Sequence, residues 1–106
     1  MQMAEPTKVA TPYSVTEEKG RSRIVIHDVS GDAPVLVGFL EYRMDGDVRT
    51  ILHTIIDEAY SRQGWARTLV TESLERFAQD EAKIRSMCSY VDRYMERFPQ
   101  YRSLLA

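Results

Sequence analysis

Asp45-Gly46 stands between two β-rich runs, Val35 to Arg43 and Val48 to Ile56. Asp-Gly tolerates the positive φ angles of a tight two-residue turn, so the two runs are expected to pair as an antiparallel hairpin. With Asp45 and Gly46 as the turn, Met44 faces Asp47, Leu40 faces Ile51, and Gly38 lies opposite His53. Strand side chains alternate between faces. Leu36, Leu40, Ile51, His53 and Ile55 are therefore expected on one face, and a one-residue slip would carry His53 to the other. A further β-branched run, Arg23 to Val29, precedes the hairpin across the loop Ser30-Gly31-Asp32-Ala33-Pro34.

Beyond the hairpin the apolar period becomes helical. From Ala66, the residues Leu69, Val70, Leu74, Phe77 and Ala78 share one face. Glu72, Glu75, Arg76, Gln79 and Asp80 occupy the other, with Glu72 and Arg76 spaced for an i,i+4 ion pair. Ile84-Arg85-Ser86-Met87-Cys88 reads as a short strand. Ser89 is expected to cap a second helix, with Asp92 three residues on. Val91, Tyr94, Met95 and Phe98 form its apolar face and Pro99 ends it. The order β-β-β-α-β-α predicts an α+β fold: a mixed, mostly antiparallel sheet with helices packed on its faces.

A chain of 106 residues holds one domain. Residues 1–21 carry Pro6, Pro12 and Gly20 among polar neighbours and are expected to form a flexible tail. Val9, Tyr13 and Val15 within it are types that can pair onto a sheet edge. Residues 22–106 are expected to be the folded domain. One cysteine, Cys88, forms no internal disulfide. His27, His53 and Cys88 are not spaced as metal ligands, so no metal is expected. A formal charge of −2 argues against nucleic acid as a partner. No apolar run is long enough to cross a bilayer, and no secretory leader is legible, so the expected location is cytoplasmic. A monomer is the default expectation.

The junction between the third β-run and the long helix carries the most chemistry. Gln63-Gly64-Trp65-Ala66 leads directly into the helix. The first N–H groups of a helix lack partners within it and carry the positive end of its dipole. Gly64 lets the backbone approach a ligand closely, which suits a pyrophosphate group. Arg62 and Arg67 flank the turn and add charge. Thr68, in the first helical turn, is placed either to reach a phosphate oxygen or to act as a cap. Trp65 either covers a ligand or anchors the helix in the core.

Ser61 to Ala66 resembles the acetyl-CoA pyrophosphate loop of the GNAT superfamily of N-acetyltransferases, whose pattern is Arg/Gln-x-x-Gly-x-Gly/Ala. Gly64 and Ala66 fill the fourth and sixth positions, while Ser61 stands where Arg or Gln is usual. His53-Thr54, Cys88-Ser89-Tyr90-Val91 with Tyr94, and Arg97-Phe98-Pro99 with Tyr101 resemble a compact single-domain branch with a Cys-Ser-x-Val motif. Phe98 replaces the usual His of that last motif. The resemblance covers roughly Ile24 to Leu104.

It implies an acetyl-CoA-dependent N-acetyltransferase acting on an amine, either a small molecule or a protein amine. It implies that pantetheine amides pair with backbone groups at Ile55 and Ile56, and that the pyrophosphate reaches Arg62, Gln63, Gly64, Trp65, Ala66, Arg67 and Thr68. His53 becomes a candidate base, since imidazole ordinarily titrates near neutrality; otherwise it is a half-buried strand histidine. Tyr94 becomes a candidate proton donor to the CoA sulfur, or else a core residue. Cys88, just before a helix N-terminus, becomes a candidate nucleophile or proton donor, or else a small buried hydrophobe. The alternative for the whole chain is a non-catalytic acyl-CoA-binding or protein-interaction module on the same fold.

Overall fold

The computed structural model describes residues 4–106. Five strands and two α-helices follow in the order β1 (Tyr13–Glu18), β2 (Arg23–Asp28), β3 (Val35–Asp45), β4 (Val48–Ile56), α1 (Trp65–Gln79), β5 (Lys83–Ser86) and α2 (Ser89–Arg97). Short 3-10 turns at Lys19–Arg21, Glu58–Tyr60 and Pro99–Leu104 connect or end them. The strands lie side by side in sequence order. β1 to β4 are antiparallel and β5 runs parallel to β4, as a crossover through α1 requires. The fold is the mixed α+β sheet expected from the sequence.

The expected tail is corrected in part. Tyr13–Glu18 is a strand paired residue by residue with β2, and the chain ahead of it is fastened too. Lys8 pairs with Glu72 and Glu75 on α1, and the Val9 N–H donates to the Thr68 hydroxyl at 3.0 Å. Residues 1–3 of the expected tail lie outside the described residues. These contacts also replace the expected Glu72–Arg76 pair. Glu72 accepts from Lys8 and from the Tyr13 hydroxyl, and Arg76 reaches the Val15 carbonyl at 3.3 Å. Two long side chains that find partners on a neighbouring strand gain more than an exposed pair on one helix offers.

The hairpin forms, in a different register. Its paired ends are Asp45 and Val48, so Gly46-Asp47 is the turn. Gly46 alone takes a positive φ there, 63°, and glycine in the first central position suits a two-residue hairpin turn. Asp45 stays in the strand because its carboxylate accepts from the Thr50 hydroxyl at 2.6 Å and from Arg43. Tyr42, not Leu40, then faces Ile51, and Gly38 faces Ile56 rather than His53. Between them the pairing jumps from Tyr42↔Ile51 to Glu41↔His53, which leaves Leu52 unpaired as a bulge. The bulge inverts the alternation of β4. Ile51 is fully buried under the helices, whereas His53 and Ile55 are exposed on the opposite face, so the shared face expected for Ile51, His53 and Ile55 does not exist.

α1 begins where the apolar stripe begins. Leu69, Val70, Leu74 and Phe77 are fully buried against the sheet, each contributing on the order of 1.5–3 kcal/mol. α2 starts one residue earlier than expected. The Cys88 carbonyl accepts the Asp92 N–H at 3.0 Å, so Cys88 is the cap and Ser89 the first helical residue, and no side chain caps this end. Both helices lie on the same face. Among the described residues, every buried apolar side chain except Val25 joins a single cluster, which takes in Trp65, Cys88 and Tyr94.

Candidate functional site

α1 opens at Gly64, whose φ of 95° belongs to the left-handed region and whose missing side chain leaves the helix end uncapped. The first helical bond runs from the Thr68 N–H to the Gly64 carbonyl at 3.0 Å. The N–H groups of Trp65, Ala66 and Arg67 therefore project out of the helix end. Arg62, two residues before Gly64, also takes a positive φ of 62°. Two left-handed residues so close together fold the loop sharply back, and both line the cleft in front of the helix. Gln63 is exposed and turned toward the Ala59 carbonyl at 3.4 Å.

This cleft, of about 540 Å³, is walled by Thr54 and Ile56 of β4, by Tyr60 and Trp65, and by Arg62, Arg67 and Tyr90. Trp65 both anchors and lines. It is 2% exposed and stands edge-on to Tyr60 with ring centroids 5.4 Å apart. Tyr60 is fixed in turn by its hydroxyl, which donates to Asp28 at 3.2 Å. Thr68 is fully buried, and both functions of its hydroxyl are engaged. It donates to the Gly64 carbonyl at 2.9 Å and accepts from the Val9 N–H. Thr68 therefore staples the N-terminal segment to the loop.

The cleft exists because β4 and β5 part. They pair from Val48 to Ile51 with Lys83 to Ser86, and the Met87 N–H adds one bond to the Ile51 carbonyl at 2.8 Å. Beyond that point, among the described residues, this edge of β4 has no neighbouring strand. Where the strands separate, the Thr54 hydroxyl lies 3.5 Å from the Cys88 sulfur. Cys88 is 8% exposed and lines a shallower groove of about 320 Å³ together with His53 and Ser89. Thr54 and Tyr90 line both cavities, so groove and cleft are continuous. His53 faces Glu41 at 3.9 Å on the exposed side of the sheet.

Of the residues singled out from the sequence, the structure brings Arg62, Gly64, Trp65, Ala66, Arg67 and Ile56 to the cleft, and His53, Ile55 and Cys88 to the groove. Tyr94 stands apart from both. It is 4% exposed and its hydroxyl meets that of Thr71 at 2.6 Å. The Thr71 proton goes to the Arg67 carbonyl at 2.8 Å, so Tyr94 donates. Burial raises the Tyr94 pKa further above the ordinary phenol value. Thr54, Tyr60 and Tyr90 are lining residues to which the sequence assigns no site role. Thr54 faces the cleft only because of the bulge at Leu52, which no local pattern announces.

The buried phenols give a measurable signature. Tyr42 donates to Glu17 at 2.6 Å, and burial followed by that hydrogen bond pushes its pKa up to about 12. A phenol whose folded pKa exceeds its unfolded value of about 10 favours the fold fully below that value. The contribution is lost as pH rises through the folded pKa. The urea midpoint should therefore hold steady to about pH 10 and fall above it. Part of the phenolate absorbance should appear only as the helical signal is lost, and Tyr42→Phe should make the fall shallower. Complete phenolate formation with circular dichroism unchanged would refute this.

Among the described residues, no group of three or more His, Cys, Asp or Glu side chains is placed to hold a metal ion. The family model for GCN5-related N-acetyl-transferase matches residues 23–104. A solution structure of a GCN5-like protein from Staphylococcus aureus matches with a TM-score of 0.63 at 21% identity, covering 88% of this chain and 87% of that one. At that identity the likeness is one of fold. No curated protein matches.

Proposed function

The chain belongs to the GCN5-related N-acetyl-transferase family, and from that premise we propose that it transfers the acetyl group of acetyl-CoA to an amine. The observation that carries this is the uncapped start of α1 at Gly64, which opens into the cleft where β4 and β5 part. The residues present fit the donor. The projecting N–H groups of Trp65, Ala66 and Arg67, with the guanidinium groups of Arg62 and Arg67, suit a pyrophosphate. No Asp or Glu lines this cleft to oppose it. Beyond its pairing with β5, the edge of β4 offers the backbone groups of Ile56 to the pantetheine amides, as an added strand would use them, whereas the Ile55 carbonyl turns to β3 and Gly38.

Bound acetyl-CoA supplies a thioester carbonyl and a thiolate leaving group. The protein's part is to position and to move protons. His53 lies in the groove shared with Cys88 and accepts the proton of the incoming amine, directly or through water. Cys88 and Thr54 mark the point where cleft and groove meet, and direct attack by the amine needs no covalent step at Cys88. Tyr94, its proton committed to Thr71, holds α2 against α1.

A second reading keeps the cofactor and drops turnover. Ser61 at the first loop position and the engaged Tyr94 hydroxyl favour it. Acetyl-CoA titration followed by thermal unfolding separates the readings. A ligand that binds only the folded state adds about 2.7 kcal/mol at a hundredfold excess over its Kd, here about 10 °C or more in Tm. Acetyl-CoA is expected to give a saturable rise, and CoA release with an amine acceptor then distinguishes transferase from binding module. No rise at millimolar acetyl-CoA would overturn both.

A further inference from the structure

Beyond the N-terminus of α1, a third cavity adjoins the cleft. It is a recess of about 130 Å³ between the start of α1 and the outer face of α2. Arg67, Arg93 and Arg97 line it, with Tyr90, Tyr94 and Phe98. At about 30 Å³ per water molecule it has room for a group of only a few heavy atoms. Tyr90, Arg93, Tyr94 and Arg97 follow the i, i+3, i+4, i+7 spacing of one helical face. Arg67 comes from the first turn of α1.

The charge balance there is unusual for this molecule. The chain has 16 Asp and Glu against 14 Lys and Arg, yet no carboxylate lines the recess or the adjoining cleft. Arg67, Arg93 and Arg97 make no ion pair within 4.0 Å among the described residues. The Arg67 and Arg93 guanidinium groups both act on the Tyr90 phenol, drawing down a pKa that burial raises. Three converging arginines without counter-charge repel one another, so a multiply charged anion would be held strongly. The cavities also have an order. Tyr90 lines all three, the groove with His53 and Cys88 also shares Thr54 with the cleft, and the cleft shares Arg67 with the recess. Cys88 caps the start of α2, and Arg93 and Arg97 lie more than one and two turns further along it, so the recess runs away from Cys88.

We infer that Arg93 and Arg97, with Arg67, form a phosphomonoester subsite for the 3′-phosphate of coenzyme A, and that through it the protein discriminates CoA from its dephospho form. The inference rests on the proposed use of acetyl-CoA. CoA carries its thiol at one end and, past the pyrophosphate, a ribose 3′-phosphate at the other. Groove, cleft and recess follow that sequence of groups. A phosphomonoester holds a charge of about −1.5 to −2 at neutral pH, which matches three free arginines better than a phosphodiester does. Arg93 and Arg97 are exposed on α2, so replacing them leaves the core intact.

The test is calorimetric titration of CoA and 3′-dephospho-CoA into wild-type protein and the Arg93→Ala/Arg97→Ala variant. Wild type is expected to bind CoA about 10- to 100-fold more tightly than dephospho-CoA, the range of one or two lost charge-assisted bonds. The variant should lose that preference while keeping the wild-type affinity for dephospho-CoA. The wild-type preference should also shrink as salt is raised. Equal wild-type affinity for the two ligands would overturn the subsite and leave the acetyl-CoA reading standing. A variant that weakens both ligands alike would also overturn the subsite. Binding of neither ligand to wild type would overturn the acetyl-CoA reading and the subsite with it.

Discussion

Gly38→Ala is expected to cost about 3 kcal/mol or more, the range of severe overpacking, and to lower Tm by about 15 °C. A Cβ at this position would stand 2.2 Å from the Ile55 carbonyl oxygen and 2.7 Å from the Ile56 Cδ1. The side-chain atom can swing away, but the carbonyl belongs to the backbone of β4. Gly38 pairs directly with Ile56, and the Val37 carbonyl just before it accepts the Asp57 N–H at 2.7 Å. Relief of the contact must therefore push β3 and β4 apart at the end that borders the cleft. Total stability of a domain this size is about 5–15 kcal/mol, so the variant should be close to unfolding at 37 °C. A urea midpoint equal to that of wild type would mean that the strands separate there without cost.

Gly64→Val should have the opposite profile, with little loss of fold and a large loss of binding. A Cβ on Gly64 meets only Val9 Cγ1 at 3.5 Å, an ordinary contact. The strain comes from the φ of 95°, which a β-branched residue avoids. Left-handed backbone costs such a residue about 1–2 kcal/mol, and the loop is expected to rotate out of it. The N–H groups of Trp65, Ala66 and Arg67 then no longer converge, and acetyl-CoA affinity should drop about 100-fold or more, equivalent to ~2.7 kcal/mol. Titration calorimetry reads the affinity, and the Tm of the free variant shows whether the fold has held. Unchanged affinity would remove the loop from the cofactor site.

Local patterns in the sequence made α1, the ends of β4 and the Gly64 turn legible. Leu69, Val70, Leu74 and Phe77 recur at helical spacing because one face must be buried. A glycine before a helix is a backbone signal that needs no distant partner. β1 was less legible because its fastening is remote. Lys8 and Tyr13 gain from Glu72, and Val9 from Thr68, partners 59 or more residues away. The register of β3 and β4 failed for a different reason. Asp45 is drawn into the strand by Thr50, and Leu52 bulges with no glycine or proline to mark it. That single unpaired residue decides that Thr54 and Ile56 enter the cleft and that His53 stands in the groove beside Glu41. The arginines of α2 were legible as residues but not as neighbours, since only the packing of α2 on α1 brings them to Arg67.

Trp65 of the cleft wall, Cys88 of the groove and Tyr94 beneath the recess all belong to the one cluster that stabilises the sheet. With a single core there is no smaller unit in which the site can melt by itself. Unfolding should be all-or-none, with calorimetric and van't Hoff enthalpies equal. Any ligand seated along groove, cleft or recess is then coupled to the whole molecule, and a change of fluorescence at Trp65, the only tryptophan, reports global unfolding as faithfully as it reports the state of the site.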